Sequence, residues 1–316
     1  MNNSLEIVHF LTHFQILKGD NMTEVIINEY LQEKALKGIK ESTIAAYSYK
    51  LESNILPCLS NNINKNTIFS NMAKLKVHQS NSSYTNTVIL MNDFLKYLHD
   101  NKHIDCLIKV PYPKQIKLRI TVLNIEEQAL LKEYLISNLN CFTLGILLAR
   151  YTGIRIGELS AIKYSDIDNN GVLHITKTLQ RIKNIDKNVI EKTIICIDTP
   201  KSQCSIRDIP IPKFIMTLYH KLPNINQDGY LLTNSNKFIE PRSIERQYKT
   251  LLTKAKIEKH KFHILRHTFA TEWVRLGFDI KTLSELLGHS SVKITLDRYV
   301  HSDIMRTREY MDKIFT

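Results

Sequence analysis

Five short segments in the second half of the sequence hold side chains that together could act on a phosphate ester. Arginine offers a rigid fork of donors that stays charged, lysine and histidine can carry a proton, and tyrosine can attack as a nucleophile. In chain order the segments are TGIRIGEL with Arg155 and Glu158, TPKSQCSIRDIP with Lys201 and Arg207, HILRH with His263, Arg266 and His267, LGHSS with His289, and TLDRYVH with Tyr299.

Taken one at a time, these residues indicate no particular function. An isolated arginine such as Arg155 is usually a surface residue, and Lys201 falls in a predicted polar turn, where lysines are common. Tyr299 is one of 14 tyrosines, and a tyrosine near the end of a helix usually packs its ring. The segments are therefore informative only as an ordered set.

The two histidines of HILRH raise the alternative of a metal site. His263 and His267 are four residues apart, so a helix would bring them to one face. The intervening Ile-Leu-Arg lacks the glutamate of an H-E-x-x-H site, and Arg266 would repel a cation. No cysteine or carboxylate nearby completes a ligand set. The sequence therefore predicts no metal here.

Helices and one small sheet are predicted to position these segments. Asn124 and Glu127 form a capping-box-like start, followed by predicted helices at roughly 125–137 and 141–152. Within 172–212 the stretches VLHIT, TIICI and IRDIPI predict a small antiparallel sheet. Further helices are predicted at 241–256, 263–276, 279–287, about 291–298 and 303–315.

The first half of the chain is predicted to be helical. In residues 41–56 apolar side chains recur on one helical face until Pro57 stops the run, and in 83–99 they recur three and four apart. A weaker helix is predicted at 23–37, and a short one within 65–77.

A proline-containing segment separates the two halves. Residues 109–121, KVPYPKQIKLRIT, show no helical period, and proline restrains its predecessor to extended shapes, which predicts a linker. Its positive charge has an ordinary explanation in a solvated linker and gains interest only beside DNA. The predicted organisation is an N-terminal extension (1–21), a small helical domain (22–108), the basic linker (109–121) and a second domain (122–316).

The overall composition favours a polyanionic partner without proving one. The 316 residues carry 43 Lys and Arg against 31 Asp and Glu, a net charge of +12, and nucleic acid is the usual partner of such an excess. The five cysteines are scattered without a C-x-x-C pair, which fits a reducing compartment. No apolar run reaches membrane-spanning length, and no signal peptide is evident at the start. We therefore expect a cytoplasmic protein without membrane association.

Taken together and in this order, the segments resemble the tyrosine recombinase and integrase family, which includes phage integrases and Xer-type recombinases. The motifs are R-x-x-E-L, T-P-K-S with R-x-I-P, H-x-L-R-H-T-F-A-T, L-G-H-S-S and the terminal tyrosine. The resemblance runs from about residue 122 to the C-terminus, and more loosely over 22–108. It implies a mainly α fold with a small antiparallel β-sheet, in which a helical core-binding domain precedes the catalytic domain. Residues 1–21 are too short for the arm-binding domain of larger integrases.

The resemblance implies a catalytic set of Arg155, Lys201, His263, Arg266, His289 and the nucleophile Tyr299. Attack on a phosphodiester builds negative charge on the non-bridging oxygens, which the two arginines are suited to stabilise. The lysine is expected to protonate the leaving 5′ oxygen, His263 to accept the tyrosine proton, and His289 to hydrogen-bond the phosphate. Because a 3′-phosphotyrosyl bond stores the energy of the cleaved bond, we expect no cofactor.

Other residues are given supporting roles. Glu158, one helical turn after Arg155, is expected to orient it, although a plain surface carboxylate is an equally good explanation. DNA contacts are predicted at Lys109, Lys114, Lys117, Arg119 and Arg207. The family further implies double-stranded DNA as partner, a homotetramer in the synaptic complex, a monomer free in solution, and association with the nucleoid.

Two other functions remain open at this point. A type IB topoisomerase would use similar chemistry to relax supercoils, but the TPKS hairpin and the short segment after Tyr299 favour a recombinase. A DNA-binding regulator could keep the fold without catalysis, but the intact set of six residues argues against it.

Overall fold

The computed structural model describes residues 22–59, 63–114, 120–184, 191–198 and 203–300, with single positions 308, 311 and 312. Several predicted features lie outside these ranges: the extension 1–21, Lys117, Arg119, Lys201 and most of the predicted helix 303–315. The described residues form two compact units, those of Met1–Leu118 with Arg181–Ile194 and those of Arg119–Gln180 with Ile195–Thr316.

The first unit is built around four α-helices in its described part. They are α1 (Met22–Leu36), α2 (Glu41–Lys50), α3 (Lys65–Val77) and α4 (Asn81–Asp100). The apolar stripe of α4 packs into a core in which the rings of Tyr30 and Phe94 meet edge to face at 5.1 Å. All four helices correspond to predicted ones.

The helix predicted over 41–56 ends earlier than expected. After α2 the chain continues as a π-turn, Leu51–Ile55, and a 3₁₀-turn, Leu56–Cys58. Pro57 has no N–H to donate to the carbonyl four residues before it. The α-helical hydrogen-bond pattern is therefore replaced in the residues around this proline. The apolar face continues through the change, because Leu51 and Ile55 remain fully buried.

The second unit is also mainly helical. Its α-helices in the described ranges are α5 (Ile125–Ser137), α6 (Cys141–Thr152), α7 (Ile156–Ala161), α8 (Lys213–Tyr219), α9 (Pro241–Lys254), α10 (Ile264–Arg275), α11 (Ile280–Leu287) and α12 (Val292–Tyr299). The apolar helix α6 lies in the main core, and the predicted capping box of Asn124 and Glu127 starts α5.

The β-structure consists of short strand pairs: β1 (Val172–Ile175), β2 (Thr178–Lys183), β3 (Thr193–Asp198) and β4 (Arg207–Pro210). β1 pairs antiparallel with β4, with Leu173 opposite Ile209, and β2 pairs with β3 in a separate two-stranded sheet. The predicted single sheet is therefore two sheets within the described residues. The mainly α fold class with a small antiparallel β component is confirmed.

One strand and two short α-helices were missing from the sequence prediction. The strand β2 has the polar sequence TLQRIK, which gives no apolar alternation, and the helices α7 and α8 are only six and seven residues long. No helix in the described ranges is both long and apolar enough to span a bilayer.

Candidate active site

Two left-handed glycines place the ends of α6 and α11 beside α10. Gly153 follows α6 with φ of 68° and Gly288 follows α11 with φ of 62°, conformations that suit glycine. Space is also limited, since a Cβ on Gly153 would lie 2.7 Å from the ring of Phe269. The TGIR and LGH motifs thus end two helices so that Arg155 and His289 follow next to the same helix.

Arg266 is the buried centre of the site. Its guanidinium donates to the carbonyl oxygens of Gly153 and Leu287, each at 2.8 Å, and reaches Nε2 of His289 at 2.9 Å. Burial, then the nearby Arg155, lowers its pKa to about 9, so it remains charged at pH 7. The residue therefore ties both glycine-ended helices to α10 while keeping a positive charge inside the protein.

Arg155 and Arg207 share one carboxylate. Glu158 accepts from Arg155 Nη1 at 2.7 Å and from the two terminal nitrogens of Arg207 at 3.1 and 2.9 Å. Its side chain is 2% exposed, whereas that of Arg155 is 36% exposed. Burial opposes ionisation of Glu158, but the hydrogen bonds and charges of Arg207 and then Arg155 outweigh it and hold its pKa below the ordinary value. The glutamate lies where an orienting residue would be.

Arg207 does not lie where we expected a DNA contact. Besides holding Glu158, it donates to the carbonyl oxygens of Leu286 and Ser205, and its side chain is 6% exposed. Its donors are thus used inside the protein, where they link β4 to the end of α11. The predicted DNA contacts Lys109 and Lys114 are, by contrast, exposed.

The histidines form a connected group around α10. His289 faces Arg266 through Nε2 and Thr295 Oγ1 through Nδ1, at 2.7 Å. Since a guanidinium only donates, Nε2 must accept and Nδ1 carries the hydrogen. The rings of His263 and His267 pack edge to face at 4.5 Å. His289 is thus held by Arg266 and Thr295, whereas His263 and His267 pack against each other.

Tyr299 contacts His267 and not His263. Its hydroxyl lies 2.9 Å from Nδ1 of His267, and its side chain is buried at 6% exposure. Burial raises the pKa of Tyr299, while the charges of Arg266 and Arg298 act in the opposite direction. Tyr299 was expected to use His263 as its proton acceptor, so the structure gives it a different partner.

All three histidines are neutral at pH 7. Burial, followed by His267 and Arg266, lowers the pKa of His263 to about 4, although the residue as a whole is solvent-exposed. Burial, then Arg298 and Arg266, lowers the pKa of His267 to about 4, and burial with Arg266 lowers that of His289 to about 3. A surplus of fixed positive charge makes further protonation unfavourable.

The site brings together every predicted catalytic residue that the structure describes: Arg155, His263, Arg266, His289 and Tyr299. Two guanidiniums beside a phenol can bind an oxyanion and offer it a nucleophile. Lys201 lies outside the described residues. Within those residues no group of three or more His, Cys, Asp or Glu side chains could hold a metal.

Two features of the site escaped the sequence prediction. For His267 the sequence suggests only the alternative of a metal ligand, although its four-residue spacing from His263 places both on one face of α10. No motif in the sequence indicates the basic groove along α9, although the arginines and lysines of this helix are spaced four and three apart. The charged residues lining that groove are Arg242, Glu245, Arg246, Lys249, Lys254 and Lys259.

Residues 122–306 match the sequence model of the phage integrase family. The match covers more than half of the chain, which therefore belongs to this family. It includes Arg155, the HILRH segment, His289 and Tyr299, so the site described above lies within the matched region.

Curated relatives agree with this assignment. A XerC-like tyrosine recombinase of Caldanaerobacter subterraneus subsp. tengcongensis is 30% identical over 256 residues, which is 72% of this chain and 64% of that protein. The XerC tyrosine recombinase of Chlorobaculum parvum is 30% identical over 165 residues, 51% of this chain and 45% of that protein. The chain thus spans between about half and two thirds of the length of these relatives.

Solved structures share the fold. The Tn1549 transposon integrase, in complex with transposon right end DNA, gives a TM-score of 0.70 at 17% identity, over 92% of this chain and 99% of that one. The lambda integrase, as a tetramer bound to a Holliday junction, gives 0.63 at 18% identity, over 90% of this chain and 80% of that one. At such identities the likeness concerns the fold alone.

Proposed function

We propose that this chain is a site-specific DNA recombinase that cleaves and rejoins DNA strands through a phosphotyrosyl intermediate on Tyr299. The observation that carries the proposal is the position of the tyrosine hydroxyl, which is buried beside His267 and close to the charge of Arg266. Packing of the ring alone does not require the hydroxyl to lie within a cluster of basic groups.

The charge balance of the site supports an anionic substrate. Three guanidiniums, those of Arg155, Arg207 and Arg266, face one carboxylate, that of Glu158, which leaves an excess of two positive charges, and Arg298 beside Tyr299 adds to this excess. A scissile phosphodiester carries one negative charge and gains another as attack proceeds. Preorganised donors at such a position each contribute about 10²–10³ in rate.

The proposed reaction has two reversible steps. The hydroxyl of Tyr299 gives up its proton to a neighbouring histidine and its oxygen attacks phosphorus, the bond to the 5′ oxygen breaks, and Lys201 protonates that oxygen. A free 5′ hydroxyl, from the same or another strand, then attacks the phosphotyrosine and releases the enzyme. The intermediate stores the energy of the broken bond, so neither ATP nor Mg²⁺ is required.

The proposal extends to partners and domains. Double-stranded DNA would be bound by the basic groove of α9 and by Lys109 and Lys114, in keeping with the net charge of +12. We assign core binding to residues 22–108, a basic linker to 109–121, and catalysis to 122–316. The active assembly would be a homotetramer formed on DNA from monomers, working at the nucleoid in the cytoplasm.

The test is a nicked substrate from which the 5′ fragment diffuses away, so that a cleaved strand stays attached to the protein. With DNA that carries its own site, the chain should form a covalent protein–DNA adduct in EDTA and without nucleotide. A non-catalytic regulator would bind and form none. A type IB topoisomerase would form one without sequence-specific exchange between two sites.

A further inference from the structure

The contact between Tyr299 and His267 is part of a packed core. The ring centroids of the two residues lie 5.7 Å apart with an interplanar angle of 56°. Tyr299 belongs to a small cluster with Ala270 and Val274 of α10 and Leu287 of α11. This apolar packing holds Tyr299 of α12 against α10, which carries His267. The 2.9 Å separation between Nδ1 of His267 and the hydroxyl of Tyr299 therefore follows from the fold.

The chemistry of His267 suits an acceptor at Nδ1. The ring is neutral at pH 7, so one of its nitrogens carries a lone pair. The phenol is protonated at the same pH, since burial raises the pKa of Tyr299. When the hydrogen of the neutral ring is on Nε2, Nδ1 accepts the hydrogen bond that the hydroxyl of Tyr299 donates.

We propose that His267 is the residue that takes the proton of Tyr299 when the tyrosine attacks DNA, an assignment that rests on the proposed strand-transfer function. The O–H bond of the phenol breaks and an N–H bond forms at Nδ1 of His267. At the same time the oxygen bonds to phosphorus, the bond to the 5′ oxygen breaks, and that oxygen takes a proton from Lys201. In rejoining, the attacking 5′ hydroxyl gives its proton back to Lys201, and Nδ1 returns its proton to the departing phenolate.

The bound phosphate would make His267 a better base than it is in the free protein. Burial, then Arg298 and Arg266, disfavours a charged imidazole there, and a phosphodiester placed among these cations would offset the part of the shift that the two arginines cause. His263, which does not contact the hydroxyl and reaches the surface, is then free to bind a phosphate oxygen. The two histidines of HILRH would thus divide the work of substrate binding and proton transfer.

The variant His267→Asn separates acceptance of a hydrogen bond from acceptance of a proton. The amide oxygen of asparagine can occupy about the place of Nδ1, but it is not a base. Cleavage of the nicked substrate should fall by about 10²-fold or more, while DNA affinity is unchanged. A fluorotyrosine at position 299, whose phenol is more acidic, should restore most of the rate to this variant. His263→Asn is the matched control, and the fluorotyrosine should not restore its rate.

Several results would overturn the assignment. Cleavage by His267→Asn at the rate of the unchanged protein would show that the proton goes elsewhere, as would fluorotyrosine rescue of His263→Asn alone. The ¹⁵N spectrum of His267 tests the contact without a variant at position 267. If the hydroxyl of Tyr299 is hydrogen-bonded to Nδ1, the Nδ1 resonance should shift in Tyr299→Phe. An unchanged Nδ1 resonance would show that the unchanged protein has no such hydrogen bond. If the unchanged protein forms no adduct at all, the strand-transfer function itself fails, which is a different result.

Discussion

Glu158 and Arg207 form a buried, two-pronged ion pair across 49 residues of sequence. Its two hydrogen bonds are 3.1 and 2.9 Å long, and both side chains are nearly inaccessible, at 2% and 6% exposure. The same carboxylate also binds Arg155. Arg207 therefore fixes Glu158, and Glu158 fixes a guanidinium proposed to contact the phosphate.

Removing either partner of this pair should destabilise the protein by about 3–5 kcal/mol, because an uncompensated charge would stay buried. The variants are Glu158→Gln and Arg207→Met, compared by urea unfolding. The double variant should cost less than the sum of the two single ones. Lys249→Gln, which breaks a more exposed pair with Glu245, is the control and should cost less than about 1 kcal/mol. Additive losses would mean that the two residues do not act as a pair.

The two site arginines should differ in what their loss does. Arg155→Ala should slow cleavage by about 10²–10³-fold with little effect on stability, because its side chain is partly exposed. Arg266→Ala should impair both, since its guanidinium also holds Gly153 and Leu287. A neutral methylphosphonate at the scissile position should restore cleavage by Arg155→Ala. Equal loss on both substrates would contradict a role in charge stabilisation.

The free protein should lose stability on acidification below about pH 6.5. The pKa of His289 is about 3 in the folded protein, below the ordinary histidine value. Between those two values the unfolded chain binds a proton that the folded protein does not, so the free energy of unfolding falls as pH falls. His263 and His267, at about 4, act in the same direction. Urea unfolding at a series of pH values measures this slope.

A smaller slope than that of the unchanged protein is expected in His289→Asn. An unaltered slope in this variant would show that His289 is not held neutral by the fold.

The groove along α9 should contribute to DNA affinity in a salt-dependent way. Arg242→Ala and Arg246→Ala each remove one exposed guanidinium, so each should lower the slope of log affinity against log salt by about one. Lys221→Ala, an exposed change away from the groove, is the control. Titrations of labelled duplex at several salt concentrations test this. Slopes equal to that of the unchanged protein would exclude the groove from the DNA interface.

Local signals in the sequence were enough to predict most helices, whereas the residues that meet in the site were predicted from the resemblance of the ordered motifs to a known family. The capping box of Asn124 and Glu127 predicts the start of α5, and the apolar period predicts α4. Both signals depend on residues only three or four apart. The HILRH and LGHSS motifs likewise indicated His263, Arg266 and His289 from short patterns. Their convergence on α10, however, depends on contacts such as that between Arg155 and Gly288, 133 residues apart.

Partners that depend on distant packing could not be predicted. Nothing near IRDIPI indicates that Arg207 binds Glu158, since the pair forms only when β4 meets the end of α11. The choice between His263 and His267 as partner of Tyr299 has the same origin. Both share a face of α10, and the packing of α12 decides which ring the hydroxyl meets.

The most direct test of the proposed phosphotyrosyl intermediate is to identify the residue that carries the DNA. The adduct formed on a nicked substrate would be digested with nuclease and protease, and the nucleotide-bearing peptide sequenced by tandem mass spectrometry. We expect the peptide to contain Tyr299, and we expect Tyr299→Phe, which still binds the DNA site, to yield no adduct. An adduct on another residue, such as Tyr310, or one that persists in Tyr299→Phe, would contradict it.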